Sequence, residues 1–379
     1  MQNYFIPTYL SIDYDEKAGK QMFKSQTPNK TLENGTATIE TIQLGIAKQS
    51  IMIRGQDTSH PILLFLHGGP GFAPIGFMRH YQEELEKHFI VVHWDQRGAG
   101  KSFSAKMDPK TINLDQFVSD THELVQILLE RFKQKKIYLA AHSWGSIIGA
   151  RFAKKYPSLL HAYIGIGQMT DVQKSALLSY QFVLIHARHN RKFLAMRALK
   201  RIGYPPYKDL RHVLVQHKWL TRFGGLIRKG NLFQYLAKGF FSSEYTLLDW
   251  IKWIRGYRTS FKRLMPQLLQ VNLFEEIQEL KVPAYFCVGR YDFYSPFELQ
   301  EQFYEQLDAP VKDMIWFENS AHAPHLEESS SFLVLLLRVK EESLLFQQKN
   351  SKINHIKRQT AKPGNRPSNT RLKPAWPGS

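Results

Sequence analysis

The sequence contains a single cysteine, Cys287, among its 379 residues. One thiol excludes an internal disulfide framework, and so little cysteine is typical of proteins from a reducing compartment. Cys287 lies in the apolar run PAYFCVG, which favours a buried core position over a reactive thiol.

Long apolar runs are also missing. No stretch of about 18 consecutive apolar residues occurs, so the sequence predicts no transmembrane helix. The first residues, MQNYFIPTYLSIDYDEK, lack the basic n-region and the apolar h-region of a signal peptide. Together with the cysteine usage, these absences favour a cytoplasmic location.

Acidic residues are scarce in two parts of the chain. Residues 349–379 contain eight Lys or Arg and no acid, and residues 171–270 contain nineteen bases and four acids. These segments carry +8 and +15 of the net charge of +18, which leaves −5 for the remainder. Nucleic acid, an anionic membrane surface or an acidic ligand would fit this asymmetry, and so would a solvated helical surface followed by a disordered tail. We favour the latter interpretation and expect no specific nucleic-acid partner.

Short apolar runs alternate with amphipathic stretches over much of the chain. The runs PILLFLH, FIVVHWD, KKIYLA and HAYIGIG are typical of strands buried on both faces of a sheet. Between them, NLDQFVSDTHELVQILLERF predicts a long helix with Asn113 as its N-cap. Strands that alternate with helices imply an α/β fold with a mostly parallel sheet.

The same pattern suggests how the chain is divided. Residues 1–170 are predicted to form the first part of an α/β core, and the alternation resumes in 271–348. Between these parts, 171–270 is rich in Arg, Lys, Leu, Phe and Trp and is interpreted as an inserted helical cap. The polar, Pro-containing stretch 349–379 is expected to be a basic disordered tail, with the last helix ending near residue 348.

The stretch AAHSWGS, residues 140–146, places Ser143 where a predicted strand passes into a predicted helix. A sharp turn at this point strains the serine backbone and leaves no room for side chains two residues away on either side. The pattern small-x-Ser-x-Gly is therefore typical of a nucleophile elbow. An ordinary tight turn with an exposed serine is the alternative interpretation.

A nucleophilic serine needs a base, and the base needs a third group that fixes its tautomer. In hydrolases with this elbow, the acid and then the histidine follow the serine along the chain. Asp292 follows the predicted strand in YFCVGRYD, and His322 follows the one in MIWFENSAHAPH, so both are candidates, with a turn-forming Asp and a surface His as alternatives. His325 is a second candidate base, although it is expected to begin the last helix. Asp95 is a second candidate acid, although it precedes the serine.

The loop HGGPG, residues 67–71, is a candidate for half of an oxyanion hole. Backbone amides at the end of an early strand and after the nucleophile stabilise the oxyanion of a tetrahedral intermediate. Gly69 and Trp144 are the residues predicted to donate. A phosphate-binding loop is disfavoured, because the pattern G-x-x-x-x-G-K-[ST] is missing here.

Five motifs together resemble those of the proline iminopeptidases: HGGPG at 67–71, WDQRGAGKS at 94–102, HSWGS at 142–146, GRYD at 289–292 and the histidine in SAHAPH. That family consists of serine peptidases with the α/β-hydrolase fold that remove N-terminal residues, chiefly proline, from peptides. The resemblance covers roughly 60–170 and 280–327. It implies that Ser143 is the nucleophile, Asp292 the acid and His322 the base, with Gly69 and Trp144 as oxyanion donors.

The sequence departs from that family at two points. Ala141 stands where the family usually has glycine, and alanine is small enough for an elbow. The family also holds the substrate amine with acidic side chains of the cap, and this cap offers few acids. Glu244 is the best candidate, followed by Asp249, and an acid near a helix N-terminus is the alternative interpretation of Glu244.

These observations predict a serine hydrolase that needs no metal and no organic cofactor and acts on a small molecule or a short peptide. An aminopeptidase similar to the proline iminopeptidases is the first hypothesis, and a carboxylesterase or lipase-like hydrolase of acyl esters is the second. A binding protein without activity on the same fold is the third. A dehalogenase or an epoxide hydrolase would need Asp at the position of Ser143.

Overall fold

The computed structural model describes residues 26–28, 33–230 and 232–360. Its strands are β1 (Thr36–Leu44), β2 (Ala47–Gly55), β3 (Ile62–Leu66), β4 (Ile90–Asp95), β5 (Ile137–His142), β6 (Leu160–Ile166), β7 (Ala284–Gly289) and β8 (Lys312–Phe317). They form one eight-stranded sheet in the order β1-β2-β4-β3-β5-β6-β7-β8. β1 pairs antiparallel with β2, and β2 pairs antiparallel with β4, whereas the other neighbours are parallel. The predicted α/β class and the mostly parallel sheet are confirmed.

The central strands are buried because helices cover both faces of the sheet. All five residues of β3 are buried, as are all six of β4 and of β7. Strands enclosed on both faces need apolar side chains at every position, which explains their continuous apolar sequences. Cys287 lies in β7 and is fully buried, as expected, and its burial raises the pKa of the thiol.

The described α-helices are α1 (Arg79–Gln82), α2 (Leu114–Arg131), α3 (Trp144–Lys155), α4 (Val172–His189), α5 (Phe193–Ile202), α6 (Leu210–Arg222), α7 (Leu232–Phe240), α8 (Leu247–Leu268), α9 (Leu273–Glu276), α10 (Phe297–Gln306), α11 (Pro324–Glu327) and α12 (Ser329–Thr360). Short 3₁₀ helices span Glu83–Lys87, Gly100–Ser102, Pro109–Thr111 and Pro157–Leu159. Asn113 caps α2 as predicted, because its side-chain oxygen accepts a hydrogen bond from the Gln116 amide. Within the described part of the chain, no helix is long and apolar enough to cross a membrane.

Five of these helices, α4 to α8, lie between β6 and β7, in the part of the sequence that predicts a helical insertion. α4, α5 and α6 bury a small apolar cluster of their own, which includes Tyr180, Val183, Leu199 and Leu220. The region from α4 to α8 is called the inserted segment below. The inserted segment begins shortly after β6, and the chain rejoins the sheet at β7.

The last helix differs from the prediction. One continuous helix was expected from Pro324 to Gln348, but α11 ends at Glu327 and α12 then extends to Thr360. The expectation of disorder from residue 349 is therefore wrong for 349–360. This stretch contains no Gly or Pro, and its Lys, Gln and Arg residues are good helix formers. The rest of the predicted tail, 361–379, lies outside the described residues.

Candidate active site

Ser143 lies in the turn between β5 and α3 and is almost fully buried, with 3% of its surface exposed. Its backbone has φ 55° and ψ −124°, a conformation that residues other than glycine rarely adopt. The Ser143 amide donates to Ile166 O at 2.9 Å, so β6 holds the turn in place. A strained serine at the end of a central strand is the arrangement that the small-residue pattern predicted.

The small residues around Ser143 are required by close packing. A Cβ on Gly145 would lie 2.5 Å from Leu66 O, so this position faces the end of β3 without room for a side chain. A Cβ on Gly149 would lie 2.6 Å from the Cβ of Ala141. Ala141, which stands where the proline iminopeptidases usually have glycine, therefore fits because the facing residue of α3 is Gly149.

Asp292 and His322 follow β7 and β8 and form a buried pair. His322 Nδ1 lies 2.9 Å from Asp292 Oδ2, and Gln300 Nε2 donates to the same oxygen at 3.1 Å. The other carboxylate oxygen accepts hydrogen bonds from the amides of Tyr294 and Ser295 at 3.0 and 2.9 Å. The carboxylate is therefore fixed from several sides, and it orients His322 with Nδ1 as the donor.

The second ring nitrogen of His322 is buried, and no described protein group hydrogen-bonds to it. His322 and Ser143 line the same cavity, together with Gly68 and Gly69. This arrangement leaves Nε2 available to exchange a proton at the position of the serine hydroxyl.

Gly69 and Trp144 flank Ser143 on the side of the HGGPG loop. Gly69 has φ +125°, a conformation accessible to glycine, and a Cβ there would lie 2.5 Å from the Gly71 amide. Trp144 is the first residue of α3, so its amide has no acceptor within the helix. Its indole Nε1 donates to Gln96 Oε1 at 3.1 Å, which fixes the side chain.

The HGGPG loop is also held by His67. Nδ1 of His67 lies 2.7 Å from Gly68 O, and Nε2 accepts from the Gln96 amide at 3.2 Å. Burial lowers the pKa of His67 to about 4, so the ring is neutral at pH 7 and donates from one nitrogen while accepting at the other.

The two alternative candidates lie elsewhere. His325 is part of α11, its ring packs 4.5 Å from that of His142, and burial lowers its pKa to about 3. Asp95 accepts hydrogen bonds from the amides of Ile75 and Lys101 and from the hydroxyl of Tyr245. The carboxylate that is paired with His322 is that of Asp292.

Glu244 and Asp249, the predicted amine anchors, are used inside the protein. Glu244 is 1% exposed and forms an ion pair with Arg79 at 2.5 Å. Asp249 pairs with Lys101 at 2.6 Å and forms a capping box with Thr246 at the start of α8. Neither residue lines the cavities next to Ser143, so the structure does not bring them to the site.

Two adjoining cavities meet at Ser143. The outer cavity, of about 120 Å³, contains Ser143 and His322 and is bordered by Leu226 and Ile227 of the inserted segment. The inner cavity, of about 40 Å³, contains Ser143 and Trp144 and extends towards α8. Among the described residues, the side chains that line these two cavities include no Asp or Glu.

Three residues that line both cavities were not identified from the sequence: His217, Tyr257 and Tyr294. Burial lowers the pKa of His217 to about 4, so a neutral ring faces the site at pH 7, packed edge-on against Tyr294. His217 lies on α6 and Tyr257 on α8, and no local motif marks either position. The basic composition of the inserted segment led us to expect charged side chains near the site, whereas the residues found there are neutral aromatic rings.

Glu327 is a further residue that the sequence did not reveal. Its carboxylate accepts hydrogen bonds from the amides of Ala321 and Ala323, on either side of His322, at 3.0 and 3.4 Å. It also accepts from the Arg228 amide at 2.7 Å, and the His322 amide donates to Leu226 O at 3.2 Å. The loop that carries His322 is thus joined directly to the inserted segment.

No group of three or more His, Cys, Asp or Glu side chains in the described ranges could hold a metal ion.

Comparison with known proteins agrees with this geometry. The family model described as alpha/beta hydrolase fold matches residues 61–329. The chain is 38% identical over 304 residues to a protein of Bacillus subtilis named probable aminopeptidase YbaC, covering 80% of this chain and 96% of the relative. It is 24% identical over 284 residues to the proline iminopeptidase of Heyndrickxia coagulans, covering 72% and 88% of the two chains.

Among solved structures, the proline iminopeptidase of Mycobacterium smegmatis has a similar fold. Its TM-score is 0.59 at 15% identity, and the match covers 81% of this chain and 99% of that one. The resemblance to proline iminopeptidases is confirmed, and the family relation supports a hydrolase enzyme. The chain belongs to the α/β-hydrolase fold family.

Proposed function

We propose that the chain is a serine hydrolase that transfers the acyl group of an amide or ester to Ser143 and then to water. The observation that carries this proposal is the Asp292–His322 pair, whose free Nε2 shares a cavity with the strained Ser143.

The reaction follows from the roles of these groups. Ser143 Oγ bonds to the substrate carbonyl carbon as its proton passes to His322 Nε2, and Asp292 stabilises the imidazolium that forms. The amides of Gly69 and Trp144 donate to the oxyanion. The imidazolium then protonates the leaving nitrogen or oxygen as the bond to the carbonyl carbon breaks. Water attacks the acyl-enzyme with the same base, and the proton returns to Ser143 Oγ.

Relatives favour an aminoacyl group as the substrate, since several proteins similar to this chain are named aminopeptidases or proline iminopeptidases. Short peptides with a free N-terminus are then the substrates. The inserted segment would serve as a cap, because its residues Leu226, Ile227 and Tyr257 border the site.

The second candidate is the hydrolysis of esters with an uncharged acyl group. The specific observation in its favour is that Asp or Glu is absent from the described lining of both cavities, while Glu244 and Asp249 are already ion-paired. A protonated amine buried without a carboxylate would pay a large desolvation cost.

A fluorophosphonate probe tests the nucleophile. We expect the probe to label the wild-type chain and Ser104→Ala, an exposed control, but not Ser143→Ala. We also expect His322→Ala to lose activity by a factor of about 10³ or more, since it removes the base, while His325→Ala keeps most of it. Labelling that survives in Ser143→Ala would refute the proposal, and the reverse behaviour of the two histidine variants would exchange their roles.

A substrate panel separates the two candidate acyl groups. The value of kcat/KM is compared within pairs that share a leaving group: prolyl and alanyl p-nitroanilides against the propionyl p-nitroanilide, and the alanyl p-nitrophenyl ester against the propionyl ester. Faster turnover of the members with a free amine supports the aminopeptidase, and faster turnover of the members without it supports the esterase.

A further inference from the structure

A third cavity, of about 70 Å³, lies next to the inner cavity on the side away from Ser143. The two share six lining residues: Met169, Val172, Val213, His217, Met265 and Tyr294. Because they have these walls in common, the two cavities adjoin one another between α4, α6 and α8. This combined space is called the chamber below.

The chamber lies on the acyl side of the reacting bond. The group that leaves must take a proton from His322, so it occupies the outer cavity, which His322 lines. His322 lines neither part of the chamber, whereas Ser143 and the oxyanion residues Gly69 and Trp144 line its near end. A chain attached to the carbonyl carbon therefore extends into the chamber.

The walls of the chamber are apolar or neutral. Side chains such as Met169, Val172, Val213 and Met265 surround its middle, and none of its described lining residues is Asp, Glu, Lys or Arg. The remaining titratable imidazole, that of His217, has its pKa lowered to about 4 by burial and is uncharged at pH 7. A charged group in this space would find no counter-ion.

Two buried polar atoms at the far end lack a partner in the described protein. They are the hydroxyl oxygen of Ser179, 2% exposed, and the side-chain carbonyl oxygen of Gln216, 4% exposed. Gln216 is fixed by a hydrogen bond from its Nε2 to Ala176 O at 3.2 Å. An unsatisfied buried polar group is costly, and a ligand hydroxyl or amide would satisfy both atoms by donating to Gln216 Oε1 and accepting from the Ser179 hydroxyl.

We propose that the chamber binds the acyl part of the substrate, and that this part is an uncharged apolar chain ending in a neutral hydrogen-bond donor, a hydroxyl or an amide. Gln216 Oε1 accepts the hydrogen bond from that end, and the Ser179 hydroxyl donates a second hydrogen bond to its oxygen. The proposal rests on the proposed function in its second form, the ester hydrolase, because it needs Ser143 as the acyl acceptor and excludes the free amine of an aminopeptidase substrate. It specifies an acyl group without a free ammonium.

The test is a series of p-nitrophenyl esters of straight-chain acids of increasing length, each ending in a methyl, a hydroxyl or an ammonium group. At one chain length we expect kcat/KM for the hydroxyl ester to exceed that for the methyl ester by about fivefold, the usual effect of one hydrogen bond. The ammonium ester of the same length should be slower than both, because its charge is unpaired.

Gln216→Leu should remove the preference for the hydroxyl end, so that the hydroxyl-to-methyl ratio of kcat/KM falls to about one or below. Gln181→Leu makes the same change at an exposed position of α4 and should keep the wild-type ratio. Labelling of Ser143 by the fluorophosphonate normalises each preparation for active sites, which separates loss of folding from loss of selectivity.

Three results would overturn the proposal: equal rates for methyl and hydroxyl ends at every length, an unchanged preference in Gln216→Leu, or a faster ammonium ester. If Ser143 is labelled in the wild type and any of these occurs, the chamber assignment fails and the serine hydrolase remains. If the wild type is not labelled, the proposed function itself fails.

Discussion

The Asp95 side chain links three parts of the molecule through one buried carboxylate. It accepts hydrogen bonds from the amides of Ile75 and Lys101 and from Tyr245 of the inserted segment. Burial outweighs these bonds and raises the pKa of Asp95 from 3.8 to about 6. A carboxyl whose pKa is raised by folding stabilises the folded state below its unfolded pKa, and this contribution is lost as the pH rises through its folded pKa.

Asp95→Asn removes this titration. We expect the free energy of unfolding of the wild type, relative to that of Asp95→Asn, to fall by about 2 kcal/mol between pH 4 and pH 7. Urea unfolding of both proteins over this range measures the difference. Asp57→Asn is the control, because hydrogen bonds from Ser59 lower the pKa of the Asp57 carboxyl, so its contribution to stability is lost towards acid pH instead. If the difference in unfolding free energy between the wild type and Asp95→Asn did not vary with pH, the argument from burial would be contradicted.

At the scale of elements, α8 is held against the core by a glycine. A Cβ on Gly256 would lie 2.6 Å from Gly98 O and 3.2 Å from the Cα of Ala99. The next residue, Tyr257, lines both cavities at Ser143. The close approach of this helix therefore sets the position of one wall of the site.

Gly256→Ala should move α8 outwards. Overpacking against backbone costs about 1–3 kcal/mol, which exceeds the gain of about 1 kcal/mol that alanine usually brings to a helix interior. We expect a lower melting temperature and, because Tyr257 shifts, a kcat/KM reduced about tenfold. Arg258→Ala, at an exposed position of the same helix, should change neither value much. A Gly256→Ala protein that is more stable and equally active would disprove this packing role.

At the scale of the whole molecule, the basic inserted segment is attached to the core through its acids. Glu244 and Asp249 form ion pairs with Arg79 and Lys101 of the core. The other two acids, Asp171 and Asp209, cap the helices α4 and α6. The Lys and Arg residues that remain therefore give this part of the surface a net positive charge. The described residues show no motif for sequence-specific recognition of nucleic acid.

We expect any binding to duplex DNA to be independent of sequence and to depend steeply on salt, because phosphate contacts alone release counter-ions. Fluorescence anisotropy with two duplexes of unrelated sequence should give equal affinities at about 50 mM salt and no measurable binding at about 200 mM. Sequence-selective, micromolar binding that persists at physiological salt would show instead that the inserted segment is a nucleic-acid interface.

The sequence by itself determined the sheet and the order of the site residues. Strands buried on both faces need continuous apolar runs, so β3, β4, β5 and β6 could be recognised from local composition. The elbow around Ser143 is equally local, because steric crowding acts within a few residues of the turn. Asp292 and His322 were predictable from their places after late strands, since parallel strands carry their C-terminal residues to the same edge of the sheet.

Only the tertiary structure decided what surrounds Ser143. Glu244 and Asp249 are plausible amine ligands in the sequence, yet their partners Arg79 and Lys101 lie more than a hundred residues away along the chain. His217, Gln216 and Glu327 face the site or its loops through helix packing, and no spacing in the sequence encodes that packing. The end of α12 was also missed, because the choice between helix and coil in a polar stretch depends on small propensity differences. The lining of the cavities around Ser143 is set by contacts between distant segments, whereas the fold and the chain order of Ser143, Asp292 and His322 follow from local patterns.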